Sequence, residues 1–389
     1  MSGSTVIVAG RRTPIGRLLG GLATCSAPTL GGIAIAGALD DAGVQAGAVD
    51  AVLMGNVVQA GVGPNPARQA AARAGVPMGV PATTINKLCL SGLSTIALAD
   101  ALIRAGQHEV VVAGGMESMT QAPHLVEGSR SGWKYGAAQV SDALDRDALT
   151  CAFDGIPMGA ATERYQRAYG IGRAEQDEFA AMSHQRAAEA RARGRFDAEI
   201  APVKTTRAEL AEDEGIRPDT TPEALSRLAP AFSADGTITA ASSSQLSDGA
   251  AAVLVTSAER AAQEGWPVLA RIVATGSVAG PDPSLVAQPA HAIRKALRGA
   301  DGLRLDDLRL IEINEAFAGV ALCSMRELDV TPDGVNVNGG AIALGHPVGM
   351  SGTRLALTLA HELRRRGGGT GAAALCGGGG QGDALILEV

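Results

Sequence analysis

Short apolar runs alternate with longer amphipathic ones along the chain. TVIVAG from Thr5, VDAVLMGNV from Val49, HEVVVAGG from His108 and RLIEINEA from Arg309 are brief, apolar and bounded by glycine or charge, so they predict buried strands. Residues 93–105 and 350–366 instead space their apolar positions three and four apart, which predicts helices. Strand–helix alternation of this kind predicts an α/β fold. The pattern also recurs. ALDDAGVQAGAVDAVLMGNV from Ala38 is matched by ALRGADGLRLDDLRLIEINEA from Ala296, and SGLSTIALADALIRAG from Ser91 by SGTRLALTLAHELRRRG from Ser351, each about 260 residues on. The second pair leads into strands that end in glycines, VVVAGG and AAALCGGGG, and two matches in one order predict two related halves. From 120 to 246 the chain turns charged and loop-rich, with GSRSGWKYG, AEDEGIRPDTTPEAL and one long helix at 173–193, the pattern of an insertion or lid.

Composition narrows the function classes. A chain of 389 residues exceeds one ordinary core, so more than one packed unit is expected. Apolar residues make up 46%, yet no run approaches the roughly 20 needed to cross a bilayer, so no membrane partner is expected. The opening MSGSTVIVAGRRTPIG lacks the basic and apolar regions of a secretory signal, and a cytoplasmic location is expected. Five cysteines without a CxxC pair argue for free thiols in a reducing compartment, with neither a disulfide framework nor a zinc site. A net charge of −7 speaks against nucleic acid as a partner. The 51 glycines predict tight turns and close backbone approaches, such as line a site for an extended ligand.

Candidate chemistry gathers at element ends. Cys25, Cys151 and Cys323 read as small buried hydrophobes. Cys89, in INKLCLSGLS, sits where a strand turns into a helix, a corner that can present its thiol while the helix start favours the thiolate. Packing and nucleophilic roles both fit it. His346, among the glycines of NVNGGAIALGHPVGMSG, is a base at the related place in the other half, or a loop cap. Cys376 ends a strand before GGGG, whose amides suit an oxyanion or a phosphate; the absence of GK[ST] and GxGxxG weakens the phosphate reading. Asn314 and Glu315 close a buried strand in EINEAFAG, where a turn or helix cap is the plain alternative.

Taken together, INKLCLSG, INEAF, NVNGGAIALGHPVGMSG and ALCGGGGQG resemble the thiolase family, the CoA-dependent acetyl-CoA C-acyltransferases. The likeness runs nearly end to end through VIVAGRRTPIG, VVVAGGMESMT, GRFDAEIAPV and PAFSADGTITAASSSQLSDGAAAVLV, and NKLCLSGL with GHPVGMSGTR is most similar to acetyl-CoA acetyltransferases of actinobacterial type. The resemblance implies two five-stranded βαβαβαββ halves in layers: 1–119 with 247–269, and 270–389, with a loop domain at 120–246 covering CoA. It implies reversible condensation of two acetyl-CoA to acetoacetyl-CoA and CoA, with a 3-ketoacyl-CoA thiolase of broader chain length in fatty-acid β-oxidation as the alternative.

The resemblance also implies roles for residues. Cys89 would carry the acyl group, His346 would take its proton, and Cys376 would be the second acid/base. Asn314, through a water, would join His346 in one oxyanion hole, and the Cys89 and Gly378 amides would form another. Arg217, Ser244, Met158, Phe232, Leu246 and Phe317 would contact CoA. No metal or redox cofactor is implied, since CoA thioesters are the substrates, and a homodimer or homotetramer is. The chain departs from the family's commoner pattern at Leu90 (usually small), Pro157 (often His), Ala224 (often Ser) and LVAQPAH for Met-Gly-x-Gly-Pro. Leu90 and His291 are therefore expected to reshape the acyl pocket. Decarboxylating ketoacyl synthases share the fold but pair their cysteine with two histidines, and Cys376 stands where the second would be.

Overall fold

A computed structural model describes residues 3–206 and 208–389. The apolar runs form strands β1 (Thr5–Arg12), β2 (Ala51–Gly55), β3 (Ala82–Ile85) and β4 (Val110–Ser118), joined by β5 (Ser247–Ser257) to complete the first half. The second half is β6 (Ala270–Ala279), β7 (Leu308–Ile313), β8 (Thr370–Gly377) and β9 (Gln381–Glu388). Their order, β7-β8-β9-β6-β1-β5-β4-β2-β3, reads the same from the centre to either edge. The halves meet where β1 and β6 pair antiparallel, Thr5 opposite Ile272.

The symmetry is incomplete at one edge. Where the first half has β3, the second has a single parallel bridge, Ile311 to Val335, in place of an expected fifth strand. The next residue explains the loss. Asn336 turns to a φ of +47°. Its side-chain amide accepts from the Ile313 N–H and donates to the Ile313 carbonyl, both at 2.8 Å, taking the ladder bonds that a strand backbone would have made.

Helices cover the sheet in layers. Helices α1 (Ala27–Ala42) and α2 (Pro66–Arg73) lie on the outer face of the first half. Helices α6 (Gln288–Arg298) and α7 (Ala318–Leu328) lie on that of the second. Between the halves run α3 (Ser91–Arg104) and α8 (Ser351–Arg365). Leu93 and Ile96 of α3 share one core with Leu355 and Leu359 of α8, Val111 and Val253 from the first half, and Leu375 and Leu385 from the second. Alternate strand residues face the outer helices, Val112 on one side and Ala374 on the other. Burial on both faces is why these strands read as unbroken apolar runs. The halves touch closely: a Cβ on Gly115 would lie 1.9 Å from the Gly349 carbonyl oxygen, and one on Gly352 2.4 Å from the Leu93 nitrogen.

The segment between β4 and β5 carries α4 (Met158–Gln166) and α5 (Arg173–Ala192). It folds back onto both halves: Phe179 and Ala180 join the outer core of the second. Glu199 and Asp213 pair with the buried Arg12 of β1 at 2.8 and 2.7 Å. Among the described residues no helix is long and apolar enough to cross a membrane. Nor does any group of three or more His, Cys, Asp or Glu among them suit a metal ion.

Candidate active site

Cys89 sits on a sharp corner between β3 and α3. Leu88 before it adopts φ of +55°, a left-handed conformation that a leucine keeps only when its surroundings enforce it. Three bonds do so. The Leu88 N–H donates to Asn86 Oδ1 at 3.0 Å. Ser91 Oγ donates to the Leu88 carbonyl at 2.6 Å and accepts from the Lys87 N–H at 2.8 Å. The corner turns Cys89 into a narrow chamber of about 60 Å³ shared with His346, Cys376, Gly378, Met158 and Phe317. A Cβ on Gly378 would come within 2.7 Å of Leu88 Cδ1 and Met158 Cε, so both side-chain ends would have to move to admit one.

His346 is held from behind. Ser351 Oγ donates to the Pro347 carbonyl at 3.0 Å and lies 2.6 Å from His346 Nδ1, so Nδ1 carries the proton and Nε2 is the bare nitrogen. Asn314 Nδ2 completes this arrangement at 3.3 Å from Nε2. Burial, with the Arg354 charge added, pushes the imidazole down to about 3, so it is neutral at physiological pH. The loop between His346 and α8 is tied to the first half by Glu117, which accepts from the N–H groups of Gly349 (3.1 Å), Val57 (2.9 Å) and Val58 (3.1 Å).

Both thiols are protonated at rest. Burial pushes Cys89 up to about 12, with the Glu117 charge adding to it and a backbone hydrogen bond opposing it. Cys376, buried at the end of β8, is pushed up by burial and then by the Cys89 charge. This direction runs against the lowering expected from the helix start, burial outweighing the backbone hydrogen bond that lowers the value. The site holds a thiol beside a neutral base, an arrangement in which the nucleophile forms as its proton moves to the imidazole.

Accessibility then governs reactivity, since of the described cysteines Cys89 alone is partly exposed and the others are buried. Iodoacetamide is expected to label Cys89 first, with acetyl-CoA protecting. The folded-state value lies above the ordinary one, so labelling should climb about tenfold per pH unit from about pH 7 to pH 10. A plateau below about pH 9 in peptide-mapped labelling rates would show a stabilised thiolate instead.

The chamber opens into a wider cavity of about 540 Å³ walled by Phe232, Ser244, Leu246, Phe317, Met158 and Pro157. Phe232 and Phe317 meet edge to face at 5.9 Å. Arg217 is not on either wall. It is exposed, and its backbone N–H donates to His184 Nδ1 at 3.1 Å. Leu90 and His291 are not on the walls either, which corrects the expected reshaping of the pocket. Leu90 turns away into the inner core. His291 is half-exposed on α6, 3.9 Å from Glu327. Ala224 is exposed on a short helix. From LVAQPAH it is Leu285 that lines the chamber.

Ser351 and Glu117 went unread in the sequence. The signal for Ser351 was the repeated SG that opens both inner helices, since Ser91 straps the other corner in the same way.

Residues 5–259 match the thiolase N-terminal domain and residues 266–389 the thiolase C-terminal domain. The chain is 57% identical to a probable acetyl-CoA acetyltransferase of Mycobacterium tuberculosis over 99% of both chains. It is 49% identical to an acetyl-CoA acetyltransferase of Pseudomonas aeruginosa over 98% of both. Human mitochondrial 3-ketoacyl-CoA thiolase, solved in complex with CoA, superposes with a TM-score of 0.96 at 41% identity, covering 99% of this chain and 98% of that one.

Proposed function

Because the chain belongs to the thiolase family of acyltransferases, we propose that it is an acetyl-CoA C-acetyltransferase, condensing two acetyl-CoA to acetoacetyl-CoA and CoA and running thiolysis in reverse. The observation that carries the reading is the meeting of Cys89, His346 and Cys376 in one narrow chamber.

The protons balance around these groups. His346 Nε2 takes the Cys89 proton as Sγ attacks the thioester carbonyl. The tetrahedral adduct, held by the Cys89 and Gly378 amides, collapses to acetyl-Cys89. The departing CoA thiolate takes the Cys376 proton, leaving the Cys376 thiolate beside an imidazolium. That thiolate removes a methyl proton from the second acetyl-CoA, and His346 with Asn314 stabilises the enolate. The enolate carbon attacks acetyl-Cys89, and the released Cys89 thiolate recovers its proton from His346. Covalent capture divides a hard condensation into two easier steps. No metal or redox cofactor takes part in this scheme. Ser244, Met158, Phe232, Leu246 and Phe317 would hold the pantetheine arm along the wider cavity, and Arg217, exposed and off its walls, would be left to meet the nucleotide end of CoA.

We place the enzyme in the cytoplasm as a homodimer or homotetramer. The free edge of β3, which pairs only with β2 among the described strands, and the exposed Met78 beside it support association.

Chain length tests the reading against the broader 3-ketoacyl-CoA thiolase. Leu149, Met158, Leu285 and Phe317 wall the chamber closely. Acetoacetyl-CoA should therefore exceed 3-ketohexadecanoyl-CoA in thiolysis kcat/KM by at least about tenfold, roughly 1.4 kcal/mol. Equal or reversed values would favour the broader enzyme.

A further inference from the structure

Two thiols from different halves must be held at one separation, and side chains outside the chamber join their supports. Lys87 stands two residues before Cys89. Its Nζ donates to both carboxylate oxygens of Asp383, at 2.7 and 2.9 Å, and to Ser277 Oγ at 2.9 Å. Ser94 Oγ, in the first turn of α3, donates to the same carboxylate at 2.6 Å. Asp383 lies on β9 immediately after Gly382, the residue paired with Cys376, and it faces Ser277 across β6. None of the four lines the catalytic chamber.

We propose that the Lys87–Asp383 pair is a positioning device that sets the separation of Cys89 from Cys376, an inference that rests on the acyl-transfer reading. The corner carrying Cys89 is strained at Leu88 and so needs fixing from several sides. Ser91 fixes it to its own helix. Lys87 and Ser94 fix it to the hairpin that carries Cys376. His346 depends on a different tie, because Glu117 holds Gly349 against the first half. Acylation asks Cys376 only to protonate the departing CoA thiolate, a good leaving group that solvent can also protonate, whereas condensation needs Cys376 against the methyl carbon, so the two steps are separable. Plain stabilisation explains the pair less well. The Lys87 side chain is 28% exposed against 8% for Asp383, and pairs open to solvent on one side contribute little.

The test uses Lys87→Met, Asp383→Asn and Lys87→Arg in the full chain. Acetyl-enzyme formation would be followed by rapid quench and intact mass, and condensation by steady-state CoA release. In Lys87→Met and Asp383→Asn, condensation kcat should fall about 10- to 100-fold while acetyl-enzyme formation stays within about threefold of wild type, the scale of loss that small misplacements of reacting groups produce. Lys87→Arg should recover most of the rate. If both steps fall by one factor, if neither falls, or if Lys87→Arg is as slow as Lys87→Met, the positioning role is wrong. Asp383→Asn keeps the decision open should Lys87→Met not fold, since it changes charge at constant size. Failure of the wild-type protein to form an acetyl-enzyme would overturn the acyl-transfer reading itself.

Discussion

Acetyl-CoA mixed with a Cys376→Ala variant is expected to leave one acetyl group on Cys89, release about one equivalent of CoA and go no further. Cys89, His346 and the strap behind the imidazole all remain in this variant, so the covalent step keeps its nucleophile and base. What disappears is the group that protonates the departing CoA thiolate and then takes a proton from carbon. Solvent can replace the first task slowly, but nothing in the buried chamber replaces the second. Loss of an acid/base group costs about 10²–10⁴-fold, and a weak carbon acid places condensation at the upper end. Cys89→Ala should show the complement, with no adduct and no burst. Intact-protein mass spectrometry decides between them. An adduct on Cys89→Ala, or turnover within about tenfold of wild type in either variant, means that the two thiols have been assigned wrongly.

The legible part of this protein is what local pattern determines. Val110–Ser118 and Thr370–Gly377 read as strands because both faces are buried, and Ser91 and Ser351 open their helices where the repeat places them. The candidate residues were legible for the same reason: Cys89, Asn314, His346 and Cys376 stand at or just beyond element ends, and the structure brings all four together.

What could not be read depends on three-dimensional surroundings. The edge position at Val335 looks like any strand start until Asn336 spends its amide on Ile313. Cys89 looks activated by its helix until its surroundings are known, where burial pushes the thiol up. Leu90 looks like a pocket residue because it adjoins the nucleophile. One residue further along the corner is enough to aim it at the core, where a Cβ on Gly377 would meet it at 2.6 Å. Glu117 shows nothing in sequence of the three backbone groups it collects from two halves.

Ser351→Ala is expected to slow acylation of Cys89 by about 10²-fold while leaving the fold intact. The wild-type hydroxyl donates to the Pro347 carbonyl and so accepts from His346 Nδ1, which leaves Nε2 bare on the side facing Asn314. Without it, only the longer contact from Asn314 Nδ2, at 3.3 Å from Nε2, still favours the proton on Nδ1. The tautomer carrying the proton on Nε2 then competes, and in that form the ring cannot accept from Cys89. Nitrogen chemical shifts of labelled His346 would report the change directly, as protonation moving from Nδ1 towards Nε2. The pH dependence separates this cause from a simple change of charge. Burial, the largest influence on His346, remains in the variant, so its pKa should stay far below 7 and the ring should remain neutral. Raising the pH to about 9 should therefore not restore acylation, because a tautomer does not titrate away. Recovery at that pH would mean that the serine keeps the imidazole uncharged rather than oriented. An unchanged rate with unchanged shifts would mean that the packing of the ring alone selects the tautomer.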